Sequence, residues 1–319
     1  MKKILLIAGF VAVLAGANGA WAYELQPLDN TPVEEDFVLG PGRTDLVLEP
    51  GEKSIQQIAI TNRLGRSQDF NLEIEDFSGS DNPDQTVRLF GDIKGPYSLK
   101  DYVKPEITKF SLKHGERIII PIEIDIPEDS EAGGLYASVI VSSASDESNP
   151  VRGSQTKLIT RLGTLFFVRV AGDVDESLSL QTFKVSDTQY GFYEKGPIPF
   201  ELIVKNEGNI HINPSGKIEI RNLLGKKVGE VTVDKYFAMP DAVREREVKW
   251  DAGMLAGRYT ATLTLDKNYQ QKPNESEQMT VSFWVIPWKI ILAVFVGLLV
   301  AGRLIRFFSG RFKFEIKKR

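Results

Sequence analysis

No cysteine occurs in the 319 residues. That absence excludes a disulfide framework, a thiol nucleophile, thiolate metal ligands and a lipid-modified N-terminal cysteine. Histidine is nearly missing too, with only His114 and His211. His114 sits in the turn Lys113-His114-Gly115-Glu116 with no nucleophile beside it, and reads as a solvated turn residue. His211 lies in Asn206-Glu-Gly-Asn-Ile-His211-Ile-Asn-Pro214, where asparagine and glycine suit tight turns and the histidine packs or hydrogen-bonds locally. Neither supports a metal site alone.

Other catalytic patterns are equally scarce. Gly216-Lys217 is followed by Ile218, so no phosphate loop forms, and Gly-x-Ser-x-Gly is absent. Ser154-Gln-Thr-Lys157 has the Ser-x-x-Lys spacing of serine acyl-transferases, but no Lys-Thr-Gly follows it. Asp81-Asn-Pro-Asp84 and Glu128-Asp-Ser-Glu131 lack the spacing of a known calcium loop and read as solvated charge. Carboxylates are plentiful, and their spacing neither selects nor rules out a glycosidase pair. The expectation is a protein that works by binding, is not an enzyme, and uses no cofactor or metal; no catalytic or ligand-binding residue is singled out.

Long apolar runs are confined to the two ends. Ile4 to Ala15 follows Lys2-Lys3, and Ala20-Trp21-Ala22 places small residues where a signal peptidase reads, so 1–22 is expected to be a secretory leader with Tyr23 as the first mature residue. About 12 apolar residues at ~1.5 Å each reach roughly 18 Å, short of a ~30 Å hydrocarbon core. Ile290 to Gly302 carries no charge, and with its flanks 287–308 is long enough to span. Trp284 and Trp288 suit one interface, while Lys289, Arg303 and Arg306 can snorkel. In and beyond the span's end, Arg303, Arg306, Arg311, Lys313, Lys317, Lys318 and Arg319 oppose Glu315 alone. This bias places the tail 309–319 in the cytoplasm and the bulk of the chain outside a cell membrane.

The chain has 39 basic and 43 acidic residues. Setting aside the two leader lysines, the seven cations from Arg303 onward and Glu315 leaves 30 basic and 42 acidic residues, a net charge of about −12 for the rest. Such a balance argues against nucleic acid, and against an anionic bilayer surface, as partners.

Within the ectodomain, 23–36 is polar, acidic and carries Pro27 and Pro32, and is expected to be a linker. Strand patterns then recur at Thr44 to Leu48, Ser54 to Thr61, Asp69 to Phe77, Glu106 to Leu112, Arg117 to Ile126, Leu135 to Ser142 and Lys157 to Val170. Turn signals such as Pro50-Gly51 and Gly133-Gly134 separate them. The excursion Ser78 to Lys104 interrupts this set and is expected to contribute to binding; Ser98 to Val103 within it predicts one helical turn stopped by Pro105. A second set covers Leu178 to Val185, Ile198 to Asn206, Lys217 to Asn222, Val228 to Lys235, Val243 to Trp250, Tyr259 to Leu265 and Met279 to Ile286. The fold class is therefore all-β, two tandem immunoglobulin-like β-sandwiches at 37–172 and 173–286, plus one C-terminal transmembrane helix.

The halves echo each other. Ile58-Ala-Ile-Thr-Asn62 before Leu64-Gly65 parallels Leu202-Ile-Val-Lys-Asn206 before Glu207-Gly208, and Gly134-Leu-Tyr136 parallels Gly257-Arg-Tyr259. The two tyrosines are either strand-entrance ties of the tyrosine-corner kind or ordinary half-buried strand aromatics.

Several phrases resemble one known family. Leu48-Glu-Pro-Gly-Glu52 entering a strand that ends in Thr61-Asn62, then Asp76-Phe77, Ser98-Leu-Lys-Asp-Tyr102, Ser111-Leu-Lys-His-Gly-Glu116 and Ile126-Pro-Glu through Gly133-Gly134-Leu-Tyr136 resemble the DUF916-type surface domain. That domain is the peptidoglycan-binding part of WxL-interacting proteins. The resemblance covers roughly Phe37 to Val170. His114 departs from the family's proline, Tyr102 from its common tryptophan, and the second half does not resemble the partner-binding domain. The resemblance implies a bacterial cell-surface protein whose distal domain contacts peptidoglycan, and the expected partner is peptidoglycan or another envelope protein. The alternative is an envelope chaperone or assembly factor that lends a strand edge to an exported client.

Overall fold

The computed structural model describes residues 22–80, 85–143, 159–186, 192–251, 253 and 256–311. The leader but for its last residue, the segments holding Asp81 to Asp84 and Ser154 to Lys157, and the tail beyond Arg311 lie outside the described residues.

Two β-sandwiches follow one another. The first has strands β1 (Glu24–Pro27), β2 (Phe37–Gly40), β3 (Arg43–Leu48), β4 (Lys53–Asn62), β5 (Gln68–Gly79), β6 (Val87–Leu89), β7 (Val103–Pro105), β8 (Lys109–Leu112), β9 (Glu116–Asp125), β10 (Gly133–Ser143) and β11 (Arg161–Val170). One sheet runs β1-β9-β4-β2 with β7 also on β9; the facing sheet runs β3-β11-β10-β5-β6 with β8 also on β5. The alternating pattern of β9 shows why. Ile118, Ile120, Ile122 and Ile124 point to one face and are all buried, as a period of two requires. Pro121 is tolerated mid-strand because its nitrogen falls between β1, whose first residue Glu24 lies opposite Ile119, and β7, whose last residue Pro105 lies opposite Ile122.

The chain changes sheet at Gly40-Pro41-Gly42. Phe37 to Gly40 pair antiparallel with β4, whereas Arg43 to Leu48 pair parallel with β11. The segment expected to be a linker is partly ordered: Glu24 to Pro27 pair with β9, because that strand would otherwise leave a row of unpaired edge groups. The helical turn expected at Ser98 to Val103 is a 3-10 turn, Lys100–Tyr102.

The second sandwich contains β12 (Leu178–Val185), β13 (Ile198–Asn206), β14 (Ser215–Asn222), β15 (Lys227–Val233), β16 (Val243–Trp250), β17 (Gly257–Asp266) and β18 (Ser276–Val285). Its sheets are β12-β13-β16 and β15-β14-β17-β18. Each sandwich encloses its own core, the first around Ile58, Phe70 and Phe166, the second around Phe200, Ile218 and Leu263. Helix α1 (Trp288–Arg311) follows β18 almost directly. Its Trp288–Phe307 stretch has mean hydropathy 2.3, and none of its most apolar window is buried against the described residues, as expected of a helix whose apolar surface faces lipid.

Asn62 and Asn206 show that the internal echo is structural. Each ends a strand and is fully buried. Asn62 donates to the Arg66 and Leu112 carbonyls and accepts from Leu64 N. Asn206 donates to the Ile210 and Ala238 carbonyls and accepts from Gly208 N. In both sandwiches one side-chain amide satisfies three backbone groups that no sheet ladder reaches.

Candidate interdomain binding cleft

The segment Asn206 to Pro214 is the elbow between the sandwiches. Gly208 approaches the interdomain linker, 171–177 between β11 and β12, so closely that a Cβ would lie 2.2 Å from the Asp175 carbonyl oxygen. Asn209 latches both sides: its Nδ2 donates to Ala132 O, its Oδ1 accepts from Asp175 N, and its carbonyl accepts from Gly134 N. His211, expected to pack or to hydrogen-bond locally, packs its ring against Tyr136 and Phe167 and makes its hydrogen bonds across to the first sandwich. His211 N donates to Tyr136 Oη at 2.7 Å, Nδ1 lies 3.2 Å from the same oxygen, and Nε2 is 3.6 Å from Asp45. Tyr136 therefore accepts the main-chain bond and donates to Nδ1, which leaves the Nε2 proton facing the carboxylate. Burial holds His211 below the usual imidazole range, against the raising influence of Asp45.

Around this contact lies a small third core of Phe77, Tyr136, Phe167, Met239 and Ala242, with residues from both sandwiches. Gly79 belongs to it: a Cβ there would sit 2.3 Å from the Ala242 Cβ. Tyr97 Oη donates to Asp241 at 2.9 Å, and desolvation with that bond pushes its phenol up to about 12. The excursion Ser78 to Lys104 supplies Tyr97 and is anchored by Asp76, which accepts from the Gly95, Leu99 and Lys100 amides. Its described part is thus built into the elbow.

Beside the elbow opens a cleft of about 460 Å3 lined by both sandwiches. Its floor holds an arginine layer. Arg43 lies 3.9 Å above the Phe167 ring and 5.1 Å from that of Phe237, and donates through Nε and Nη2 to Asp45 at 2.8 and 2.5 Å. Asp45 is held down to about 2; partial burial would raise it, but the His211 and Arg43 contacts outweigh that. Deeper, Arg169 donates to Glu176 at 2.9 Å with little of either side chain exposed. Glu176 also accepts from the Gln270 and Gln271 amides at 3.0 and 2.9 Å. Burial alone would raise its pKa, yet these donors lower it. The linker carboxylate thereby straps first sandwich, linker and second sandwich together.

One wall of the cleft is β3, an edge strand. The Gly42 and Leu48 carbonyls accept from Leu165 N and Ala171 N of the β11 segment. By alternation, the main-chain groups of Arg43, Asp45 and Val47 face away from β11, on an edge that pairs with no strand among the described residues. Val47 is 61% exposed.

His114 is more than a solvated turn residue. Its Nδ1 accepts from Gly65 N and its Nε2 lies 3.1 Å from Thr31 O, so the ring pins the N-terminal segment to the Arg63 to Gly65 turn. Among the described residues, no three histidine or carboxylate side chains converge as a metal site would require. The sequence reading missed Arg43, Asp45, Arg169 and Glu176. Arg169 was the available signal, a charge inside the apolar run Leu165 to Val170.

No family model and no curated protein matches the chain. Solved structures with partial likeness include the class 5 fimbriae chaperone CfaA, at 11% identity and TM-score 0.40 over 79% of this chain and 100% of that one. The E. coli chaperone DraB has 13% identity and TM-score 0.35, covering 78% and 97%. A chain from the CsuC–CsuE chaperone-tip adhesion subunit complex of Acinetobacter baumannii has 10% identity and TM-score 0.35, covering 67% and 90%. Likeness at this level fixes neither ligand nor activity.

Proposed function

We propose that this chain is a membrane-anchored envelope binding protein that seats an extended segment of an exported or envelope protein along the outer edge of β3. The observation that carries the proposal is the outer edge of β3, which pairs with no strand among the described residues and lines a cleft whose two walls are held in fixed relation. An added strand gains main-chain hydrogen bonds from such an edge without refolding either sandwich, and a pre-ordered cleft lowers the ordering cost of binding. Arg43 and Arg169 are largely neutralised by Asp45 and Glu176, so the cleft favours backbone and apolar contacts over a strongly charged ligand. In this reading α1 spans the cell membrane, the ectodomain lies outside, and the protein performs no covalent chemistry.

The test is a photo-crosslinker at Val47 in intact cells, paired with Val47→Pro. Proline at 47 removes an outward N–H while leaving the β3–β11 ladder whole. Crosslinks to a small set of exported proteins, lost in the proline variant at unchanged thermal stability, are expected. Absence of protein crosslinks together with saturable pelleting on protein-free peptidoglycan would overturn the reading in favour of the wall binding that the family resemblance implies.

A further inference from the structure

Leu224 is 88% exposed and its neighbour Leu223 is 73% exposed, at the tip of the β14–β15 hairpin. The turn does not need them. Asn222 Oδ1 accepts from Leu224 N and Lys226 N, Arg221 Nη1 donates to Gly225 O, and Gly225 takes a φ of 75°. Asparagine and glycine therefore make the turn, and any polar residue would serve at 223 and 224. A rigid hairpin presenting two adjacent leucines is an apolar point with no covering group among the described residues.

Strand register locates this point. Asn222 pairs with Tyr259, Tyr259 with Phe283, and Gly257 with Val285. Two residues beyond Asn222, the tip is level with the place where β18 gives way to Pro287 and α1. It lies two strands away, about 10 Å sideways at the usual inter-strand spacing. The domain is also held at a fixed attitude to the helix entrance. Ile286 N donates to Tyr193 O at 2.7 Å, Trp288 N to Ile286 O at 2.8 Å, and Lys289 pairs with Glu194 at 2.8 Å.

The same end carries exposed cations, with Asp251 as an exposed acid beside them, although the ectodomain as a whole is acidic. Lys195, Lys226 and Arg258 are exposed there and form no ion pair among the described residues. Overall charge argues against an anionic surface as partner, but only the charge within about a Debye length of that surface matters. Trp284 and Trp288, 49% and 43% exposed, mark the same level as aromatic anchors do.

We propose that the β14–β15 tip is a second membrane contact, with Leu223 and Leu224 in the boundary between headgroups and acyl chains and Lys195, Lys226 and Arg258 facing anionic headgroups. The second sandwich then rests on the bilayer at two points, helix and hairpin, and cannot swing about the helix entrance. The proposal rests on reading α1 as membrane-spanning, and its test separates the two.

The lack of cysteine lets single probes be placed in the full-length chain. Leu224→Cys, Leu298→Cys in α1 and Val38→Cys on the distal sandwich are each labelled with an environment-sensitive fluorophore and reconstituted into vesicles of phosphatidylcholine and phosphatidylglycerol carrying spin-labelled lipids. The expected result is quenching at 298 by deep spin labels, at 224 by shallow ones, and at neither depth for 38. Quenching at 298 with 224 behaving like 38 would overturn the hairpin contact and leave the anchor standing. No quenching at 298 or 224 would overturn both.

Discussion

The two sandwiches carry the same asparagine clamp and use their matching tyrosines in opposite ways. Tyr259, at the start of β17, bonds the main chain of Ala256 three residues back, the local tie that a tyrosine corner makes. Tyr136, at the equivalent place in β10, turns its hydroxyl outward from its own core and gives it to His211 of the other sandwich. It folds back over Gly134, where a Cβ would lie 1.9 Å from the hydroxyl oxygen. One element of a shared plan holds a domain together, and its counterpart joins two domains.

The clamp offers the largest effect. Asn62→Ala and Asn206→Ala each strand buried backbone groups, and each is expected to cost about 3 to 4 kcal/mol. Urea unfolding followed separately in each sandwich should show similar losses; a loss confined to one would break the equivalence.

Next comes the shared interface. Gly79→Ala drives a methyl group into Ala242 and is expected to cost up to about 3 kcal/mol. Calorimetry should show the two sandwiches unfolding less cooperatively while each keeps its own core. One cooperative transition at unchanged temperature would mean that the interface contributes little.

The tyrosines sharpen the contrast directly. Tyr136→Phe leaves His211 N without its acceptor and should cost about 2 kcal/mol, widening the interdomain angle seen by small-angle scattering. Tyr259→Phe is expected to cost about 1 kcal/mol and leave that angle unchanged. Equal scattering profiles for the two variants would contradict their assigned roles.

The smallest effect is a pH dependence specific to the elbow. His211 is held below its unfolded value, so the unfolded chain binds the proton more readily and stability falls as pH drops below about 6.5. A titration of unfolding free energy from neutral pH downward should show a steeper decline for the natural protein than for His211→Gln. Parallel curves would remove His211 as the cause.

Much of the architecture was legible beforehand because strands declare themselves by alternation and turns by glycine, proline and asparagine. Val243 to Trp250 matches β16 at both ends, and the apolar run at 287–308 stands out by length alone. Edges were harder. Glu24 to Pro27 has no alternation to show, and only the vacant edge of β9 makes it a strand. The elbow motif around His211 was visible as a turn, but its partners Tyr136, Asp45 and the Ala132 to Gly134 turn lie scores of residues away, and nothing in local pattern reports such pairings.

Composition and periodicity by themselves determined the class: a disulfide-free chain of two β-sandwiches with one apolar helix. These follow from local forces, namely side-chain alternation across a strand, turn propensity and the length of an apolar run. Only the tertiary structure decided which edge stays open, which tyrosine bridges the domains, and that Arg169 and Glu176 form a buried strap. Those outcomes depend on contacts made across long chain separations, where geometry rather than sequence spacing chooses the partner.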